Sequence, residues 1–186
     1  MRLVYLHGFN SSPRSHKATL LEHAVAERGL AEHYACPALP PLAGEALARI
    51  EPLLGRDTCL VGSSLGGFYA TWLAEKHGLR AVLLNPAIEP HVGLRLLLGP
   101  QKNLYTDEEY VLTEKHLQEW QGLYLPRITP SRYLLIVETG DEVLDYRKAT
   151  ERYAGCQQVV VEGGDHSLRS FPEHLREILR FARLPD

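Results

Sequence analysis

The stretch that decides the fold runs Cys59-Leu60-Val61-Gly62-Ser63-Ser64-Leu65-Gly66-Gly67. It begins as a short apolar strand, breaks into the pattern Gly-x-Ser-x-Gly and leads directly into a segment with helical periodicity. A serine at such a turn is held in a strained backbone conformation, with its hydroxyl exposed above the edge of the sheet. The first N–H groups of the helix then face a developing negative charge. The stretch therefore predicts Ser64 as the nucleophile of a serine hydrolase.

Two alternatives compete with Ser64. One is an ordinary turn between a strand and a helix that happens to contain serine, although the apolar strand before it and the helical apolar face after it argue for the special turn. The other is the neighbouring hydroxyl of Ser63. The residue two positions before Ser63 is Val61, which would crowd the turn, whereas Gly62 and Gly66 flank Ser64 and leave room.

Composition predicts a globular protein of one domain, residues 1–186, with a core large enough to need no disulfides. The formal net charge is −3 and lysine and arginine are scattered, so neither nucleic acid nor an anionic membrane surface is expected as a partner. No run approaches the roughly 20 apolar residues of a membrane span. A monomer and a small homo-oligomer both stay open.

The chain opens on a strand at Arg2, which leaves no room for a signal peptide. Cys36, Cys59 and Cys156 are widely spaced and lie in apolar runs, as expected of reduced thiols in a cytoplasmic protein. The nine histidines are dispersed, without the spacing of a metal site, so neither a metal nor a cofactor is predicted.

Strand-like and helical segments alternate along the chain, which predicts an α/β fold with a mostly parallel sheet covered by helices on both faces. The first helix is expected to start at Ser12-Pro13 and the last at a capping box, Ser170-Phe171-Pro172-Glu173. The six predicted strands are Leu3–Leu6, His33–Cys36, Thr58–Val61, Ala81–Leu84, Tyr133–Val137 and Gln158–Val161.

Ile88 to Pro130 interrupts this alternation. We expect no strand there, only short helical pieces separated by proline and glycine, and either a cap over the active site or a long helical crossover. Its apolar residues could line an acyl pocket or belong to the core. They are Leu94, Leu96, Leu97, Leu98 and Trp120.

A serine hydroxyl needs a base, and the base needs an orienting acid. On a parallel hydrolase sheet both follow the serine, each just past a later strand. His166 after the last strand is the predicted base, and Asp141 after the preceding strand is the predicted acid. Asp145 is the second candidate for the acid, although it could instead cap the next helix, and Asp165 is expected to point elsewhere.

An oxyanion hole requires two backbone donors. The N–H of Leu65, directly after the nucleophile, is the first, and the N–H of Phe9 in the loop after the first strand is the second. Gly8 permits the backbone to approach a substrate oxygen, and His7 precedes it in the same supporting loop.

Five strings, YLHGFNSSP, VGSSLGGFYA, LNPA, ETGDEVLDY and EGGDH, resemble in order and spacing the small bacterial YqiA-like esterases of the α/β-hydrolase superfamily. The resemblance covers nearly the whole chain. It implies a compact α/β-hydrolase fold without the usual N-terminal hairpin, with strand order 2-1-3-4-5-6. On matching positions the family's nucleophile, acid and base fall on Ser64, Asp141 and His166.

The resemblance also implies hydrolysis of short acyl esters, with acyl-CoA thioesters as a further class, and no cofactor. Two other functions stay open on the same fold. One is a non-catalytic binding or regulatory module, and the other is a triad enzyme of another reaction type, such as a lyase, a C–C hydrolase or an acyltransferase.

Overall fold

A computed structural model describes residues 1–184 and gives a central parallel sheet with helices on both faces. The strands are β1 Arg2–Leu6, β2 Tyr34–Ala35, β3 Thr58–Ser63, β4 Arg80–Leu84, β5 Gly99–Lys102, β6 Glu109–Leu112, β7 Tyr133–Glu138 and β8 Gln157–Val161. The helices are α1 His16–Ala26, α2 Ala43–Ile50, α3 Leu65–His77, α4 Pro90–Gly93, α5 Glu114–Leu123, α6 Tyr146–Arg152 and α7 Phe171–Phe181. Short 3-10 turns cover Ala31–His33, Glu51–Leu53, Leu94–Leu97 and Pro130–Arg132.

The main sheet has six parallel strands in the order β2-β1-β3-β4-β7-β8. Counting only these six strands, the order is 2-1-3-4-5-6, so the predicted fold class and strand order are confirmed. The register aligns Ser63 with Leu84 and Glu138 with Val161, which brings the carboxyl ends of β3, β4, β7 and β8 to one edge. Ligand and catalytic groups gather at this edge in open parallel sheets.

The core has two layers because strand residues alternate between the faces of the sheet. On one face, Leu60, Leu83 and Leu135 pack against residues of α2, α3, α5 and α6. On the other face, Val61 and Ile136 pack with α1 and α7. None of the helices formed by residues 1–184 has the length and apolar character that a bilayer crossing requires.

The segment from 88 to 130 contains an antiparallel hairpin, β5 and β6, so the expectation of no strand there was wrong. The strands were missed because each has only four residues and neither has a continuous apolar run. Gly99 and Pro100 suggested a break, yet they start β5. Within the same segment, α5 buries Leu117 and Trp120 in the core.

Two predicted boundaries and one predicted helix cap were also wrong. Helix α1 starts at His16 rather than at Ser12-Pro13, because the Ser12 hydroxyl accepts the Arg14 N–H in a preceding turn (3.0 Å). Strand β2 is shorter than His33–Cys36, since the first residue belongs to a 3-10 turn. Helix α7 begins after Ser170 as expected, but the Ser170 side chain makes no capping bond.

Candidate active site

Ser64 lies at the turn between β3 and α3 in a conformation that few non-glycine residues adopt, with φ 55° and ψ −121°. Its backbone is tied to the strand beside it, since Ser64 N–H donates to the Leu84 carbonyl (3.0 Å). A Cβ on Gly62 would collide with the Gly66 carbonyl, and one on Gly66 with the Leu6 carbonyl. The two glycines therefore permit the tight turn that presents the Ser64 hydroxyl.

His166 stands between Ser64 and Asp141. Its Nε2 lies 3.1 Å from Ser64 Oγ, and its Nδ1 lies 2.8 Å from Asp141 Oδ2. Asp145 instead accepts the Arg147 N–H and caps α6, and Asp165 pairs with Arg169 at 2.6 Å. Of the three candidate acids, the structure brings only Asp141 to His166.

The Asp141 carboxylate is well held: its side chain is 2% exposed. Its second oxygen, Oδ1, accepts the N–H groups of Val143 (2.9 Å) and Leu144 (2.8 Å). Burial alone would raise the pKa of Asp141, but the hydrogen bonds from His166, Leu144 and Val143 outweigh burial and lower it. The group is therefore an anion at neutral pH, oriented by three donors toward the imidazole.

A second buried carboxylate, Glu138 at the end of β7, holds the loop that carries His166. It is 1% exposed and accepts three backbone N–H groups, from Asp165 (2.7 Å), Arg169 (3.1 Å) and Ser170 (2.7 Å). Burial alone would raise the pKa of Glu138, whereas these hydrogen bonds lower it. Glu138 thus fixes the backbone on both sides of the histidine.

Asn85 completes this anchor from the end of β4. Its amide oxygen accepts the Glu138 N–H (3.0 Å), and its amide nitrogen donates to the carbonyls of Asp165 (3.1 Å) and His166 (3.4 Å). Asn85 is 3% exposed and has φ 40°. The loop after β8 is thereby tied to two strands of the sheet, so that the His166 ring has a fixed base.

The loop after β1 approaches the serine closely. A Cβ on Gly8 would lie 3.2 Å from Ser64 Cβ, so any other residue at this position would displace one of the two segments slightly. Phe9 follows, and Leu65 is the first residue of α3, where N–H groups have no intrahelical acceptor. The two predicted N–H donors thus belong to the loop and the helix start that border Ser64.

Both ring nitrogens of His7 form hydrogen bonds with backbone groups. Its Nε2 accepts the Leu39 N–H (3.1 Å), so Nδ1 carries the proton and donates to the Gly8 carbonyl (3.1 Å). Burial lowers the pKa of His7, against a smaller opposite effect of the Gly8 carbonyl. The neutral imidazole therefore braces the loop and does not face Ser64.

A cleft of about 290 Å³ opens beside Ser64 and His166. Its lining comes from the loop after β1, the start of α1 and the turn of the β5–β6 hairpin, through Leu104 and Tyr105. The leucines expected to line an acyl pocket lie elsewhere: Leu96 is 92% exposed, and Leu97 and Leu98 also face solvent. The hairpin, rather than that leucine cluster, contributes to the cleft.

Glu138 and Asn85 were not identified from the sequence. Each is a polar residue at the carboxyl end of a buried apolar strand, and this position was the available signal. Both bind Asp165, which lies much further along the chain: its carbonyl oxygen is 3.1 Å from the Asn85 amide nitrogen, and its N–H donates to Glu138 at 2.7 Å. A short stretch of sequence cannot indicate hydrogen bonds between residues that are so far apart along the chain.

The parallel sheet, the strained serine turn and the histidine loop define the class as an α/β-hydrolase fold. The chain belongs to the uncharacterised protein family UPF0227, whose profile matches residues 2–183. A UPF0227 protein of Serratia proteamaculans (strain 568) is 25% identical over 190 residues, covering 98% of this chain and 99% of the relative. The predicted family resemblance is confirmed.

Solved structures share the fold at low identity. Mouse alpha/beta hydrolase domain-containing protein 10 superposes with a TM-score of 0.73 at 16% identity, covering 96% of this chain and 87% of that chain. The esterase domain of a Rhodothermus marinus protein gives a TM-score of 0.70 at 17% identity, covering 98% and 86%. These similarities establish the architecture.

Proposed function

We propose that this protein is a serine hydrolase that cleaves carboxylic esters or acyl thioesters through an acyl-Ser64 intermediate. The observation that carries the proposal is the continuous hydrogen-bonded connection from Ser64 Oγ through His166 to Asp141, with distances of 3.1 Å and 2.8 Å. Nucleophile and base within hydrogen-bond reach, with the base oriented by a third group, are the arrangement that activates a serine hydroxyl.

In the proposed reaction His166 Nε2 takes the Ser64 proton while Oγ forms a bond to the substrate carbonyl carbon. The resulting imidazolium is stabilised by the Asp141 carboxylate. It then donates its proton to the leaving oxygen or sulfur as the bond to the carbonyl carbon breaks. Water, deprotonated by the same imidazole, then attacks the carbonyl carbon of acyl-Ser64, and the imidazolium returns the proton to Ser64 Oγ as the acyl–Oγ bond breaks, which releases the acid and the free serine.

The negative charge that develops on the substrate oxygen is assigned to the N–H groups of Phe9 and Leu65. Donors fixed before the reaction stabilise this charge without reorganisation, and removing one such donor costs about 100- to 1,000-fold in turnover in serine hydrolases. The brace from His7 and the tight turn through Gly62 and Gly66 support this assignment, because they hold both backbone segments in place.

The proposal includes a cytoplasmic location, for which three cysteines free of disulfide bonds are the support. Among substrates it favours short acyl esters and thioesters, the classes implied by the family resemblance.

The direct test is labelling with a fluorophosphonate, read by intact mass and peptide mapping. We expect one label per chain on Ser64, its loss in Ser64→Ala and its retention in Ser63→Ala, the matched control at the neighbouring hydroxyl. Turnover of p-nitrophenyl acetate should fall by about 10⁶-fold in Ser64→Ala. A folded wild-type protein that takes no label and hydrolyses no ester would instead favour a binding module.

A further inference from the structure

The cleft beside Ser64 lies on the leaving-group side of the proposed site. His166 must give its proton to the leaving atom, so the leaving group has to lie next to the imidazole. His166 and Ser167 both line the cleft, together with the start of α1. Whatever part of the substrate departs with the proton therefore extends toward α1.

The side chain of Lys17, with its ammonium group, lies in this part of the cleft. Lys17 lines the cleft, is half-buried, and donates from Nζ to the Ser167 carbonyl oxygen at 2.7 Å. This acceptor is neutral, so the contact itself is not an ion pair. Burial lowers the pKa of Lys17, because a half-buried cation loses hydration, although the charges of Asp165, Glu138 and Asp141 act in the opposite direction.

The three carboxylates near Lys17 are each bound to other groups. Asp165 pairs with Arg169 at 2.6 Å, and Asp141 contacts His166 at 2.8 Å. Glu138 accepts three backbone N–H groups. Within residues 1–184, Lys17 therefore has a carbonyl as its hydrogen-bond partner and no carboxylate ion pair.

Beside Lys17, the cleft is also lined by a buried hydroxyl and by the first turn of α1. Ser15 lines the same cleft, and among residues 1–184 its buried hydroxyl has no hydrogen-bond partner. His16 also lines the cleft and begins α1, whose N-terminal end carries partial positive charge. Leu104 and Tyr105, from the turn of the hairpin, add apolar surface to the same cleft.

We propose that the cleft accepts leaving groups that carry an anionic substituent, a carboxylate or a phosphate, and that Lys17 is the residue that selects for it. This inference rests on the proposed function, since it assigns the substrate class of the same site. An ammonium beside the departing group gains a charge-assisted hydrogen bond with an anion that a neutral leaving group cannot supply.

The test uses two aryl acetates that differ in one substituent of the leaving phenol: 3-acetoxybenzoate, an anion, and its neutral isostere 3-acetoxybenzamide. We expect wild-type kcat/KM to favour the anion by about fivefold to tenfold at low ionic strength, as one partly desolvated charge contact provides. Lys17→Met should abolish this preference, because kcat/KM for the anion falls about fivefold to tenfold further than kcat/KM for the amide. Lys17→Arg should retain it, and Lys148→Met, at an exposed lysine outside the cleft, should match wild type.

An equal loss on both esters in Lys17→Met would mean that Lys17 only positions the loop through Ser167, which overturns the inference. Retention of the preference in Lys17→Met would also overturn it. Binding of the two phenols, 3-hydroxybenzoate and 3-hydroxybenzamide, measured by NMR titration, separates the inference from the hydrolase proposal. Carboxylate-selective, Lys17-dependent binding without ester turnover would contradict only the proposal that the protein is a hydrolase. Unselective binding of the two phenols would contradict only the proposal that Lys17 selects an anionic leaving group.

Discussion

The loop that carries His166 and the hairpin that lines the same cleft are held in different ways. The histidine loop is anchored from below by buried groups, Glu138 and Asn85, at 1% and 3% exposure. The hairpin is attached to the loop after β1 by half-exposed polar contacts, among them Tyr110 hydroxyl to Asn10 Oδ1 (2.7 Å) and Leu104 N–H to the Asn10 carbonyl (3.1 Å).

This difference separates two requirements of the proposed site. Proton transfer needs fixed distances, and buried charge-assisted hydrogen bonds resist displacement because breaking one leaves an unsatisfied buried group. Substrate entry is compatible with a cleft wall that moves. The polar contacts that hold the hairpin suit this role, because exposed hydrogen bonds are readily exchanged for bonds to water. Substitutions in the histidine loop should therefore affect kcat, and substitutions in the hairpin should affect KM.

The largest effect on the histidine side is expected for Asp141→Asn. An amide at this position stabilises the wrong imidazole tautomer and cannot stabilise the imidazolium, so kcat should fall by about 10⁴-fold. Asp145→Asn is the matched control, at the residue that caps α6, and should keep kcat within about twofold. Steady-state hydrolysis of p-nitrophenyl acetate measures both, and equal losses would remove Asp141 from its assigned role.

Glu138→Gln should lower kcat by about 10- to 100-fold with little change in KM, because His166 loses its fixed position while the substrate walls stay intact. The side-chain amide nitrogen of the new glutamine would face backbone N–H donors, from which it cannot accept a hydrogen bond. The free energy of unfolding should therefore also fall by about 2–4 kcal/mol. Glu142→Gln is the control: it accepts the His166 N–H (3.0 Å) from an exposed position. A KM effect without a kcat effect would contradict the positioning role.

The stability contribution of Glu138 should depend on pH in one direction. Its folded-state pKa is lowered below the unfolded value of about 4.3, so the stabilisation is complete above that value and is lost as pH falls through the folded pKa. The difference in unfolding free energy between wild type and Glu138→Gln should therefore shrink as the pH is lowered from neutral into this acidic range. Urea unfolding at several pH values measures it, and a constant difference would argue against a stabilising anion.

The smallest effect is expected in the hairpin. Tyr110→Phe removes the hydroxyl contact with Asn10, which lines the cleft, and should raise KM by about twofold to fivefold with kcat unchanged. Tyr124→Phe, at an exposed tyrosine packed against His91, controls for loss of a phenol. A kcat loss as large as that of Glu138→Gln would erase the distinction between the two regions.

Much of the fold could be predicted because its signals are local. Buried parallel strands are continuous apolar runs, and the turn at Ser64 needs Gly62 and Gly66 for steric reasons that a short stretch of sequence makes visible. The hairpin could not be predicted, since Gly99–Lys102 and Glu109–Leu112 have four residues each and their residue types, GPQK and EYVL, do not alternate between apolar and polar. Its role as a wall of the cleft depends on contacts between distant parts of the chain, such as Asn103 to Ser11 at 2.9 Å.

By itself, the sequence determined the class of fold, the strand order through a family resemblance, and Ser64 and His166 as candidate residues at the ends of strands. The tertiary structure added that Asp141, the first choice, lies at the imidazole whereas Asp145 caps α6, since both follow β7 and only the packed loop separates their positions. It also revealed Glu138, Asn85 and Lys17 around the histidine loop. The physical reason is that strand formation and tight turns depend on neighbouring residues, whereas hydrogen bonds between loops depend on how the whole sheet is assembled.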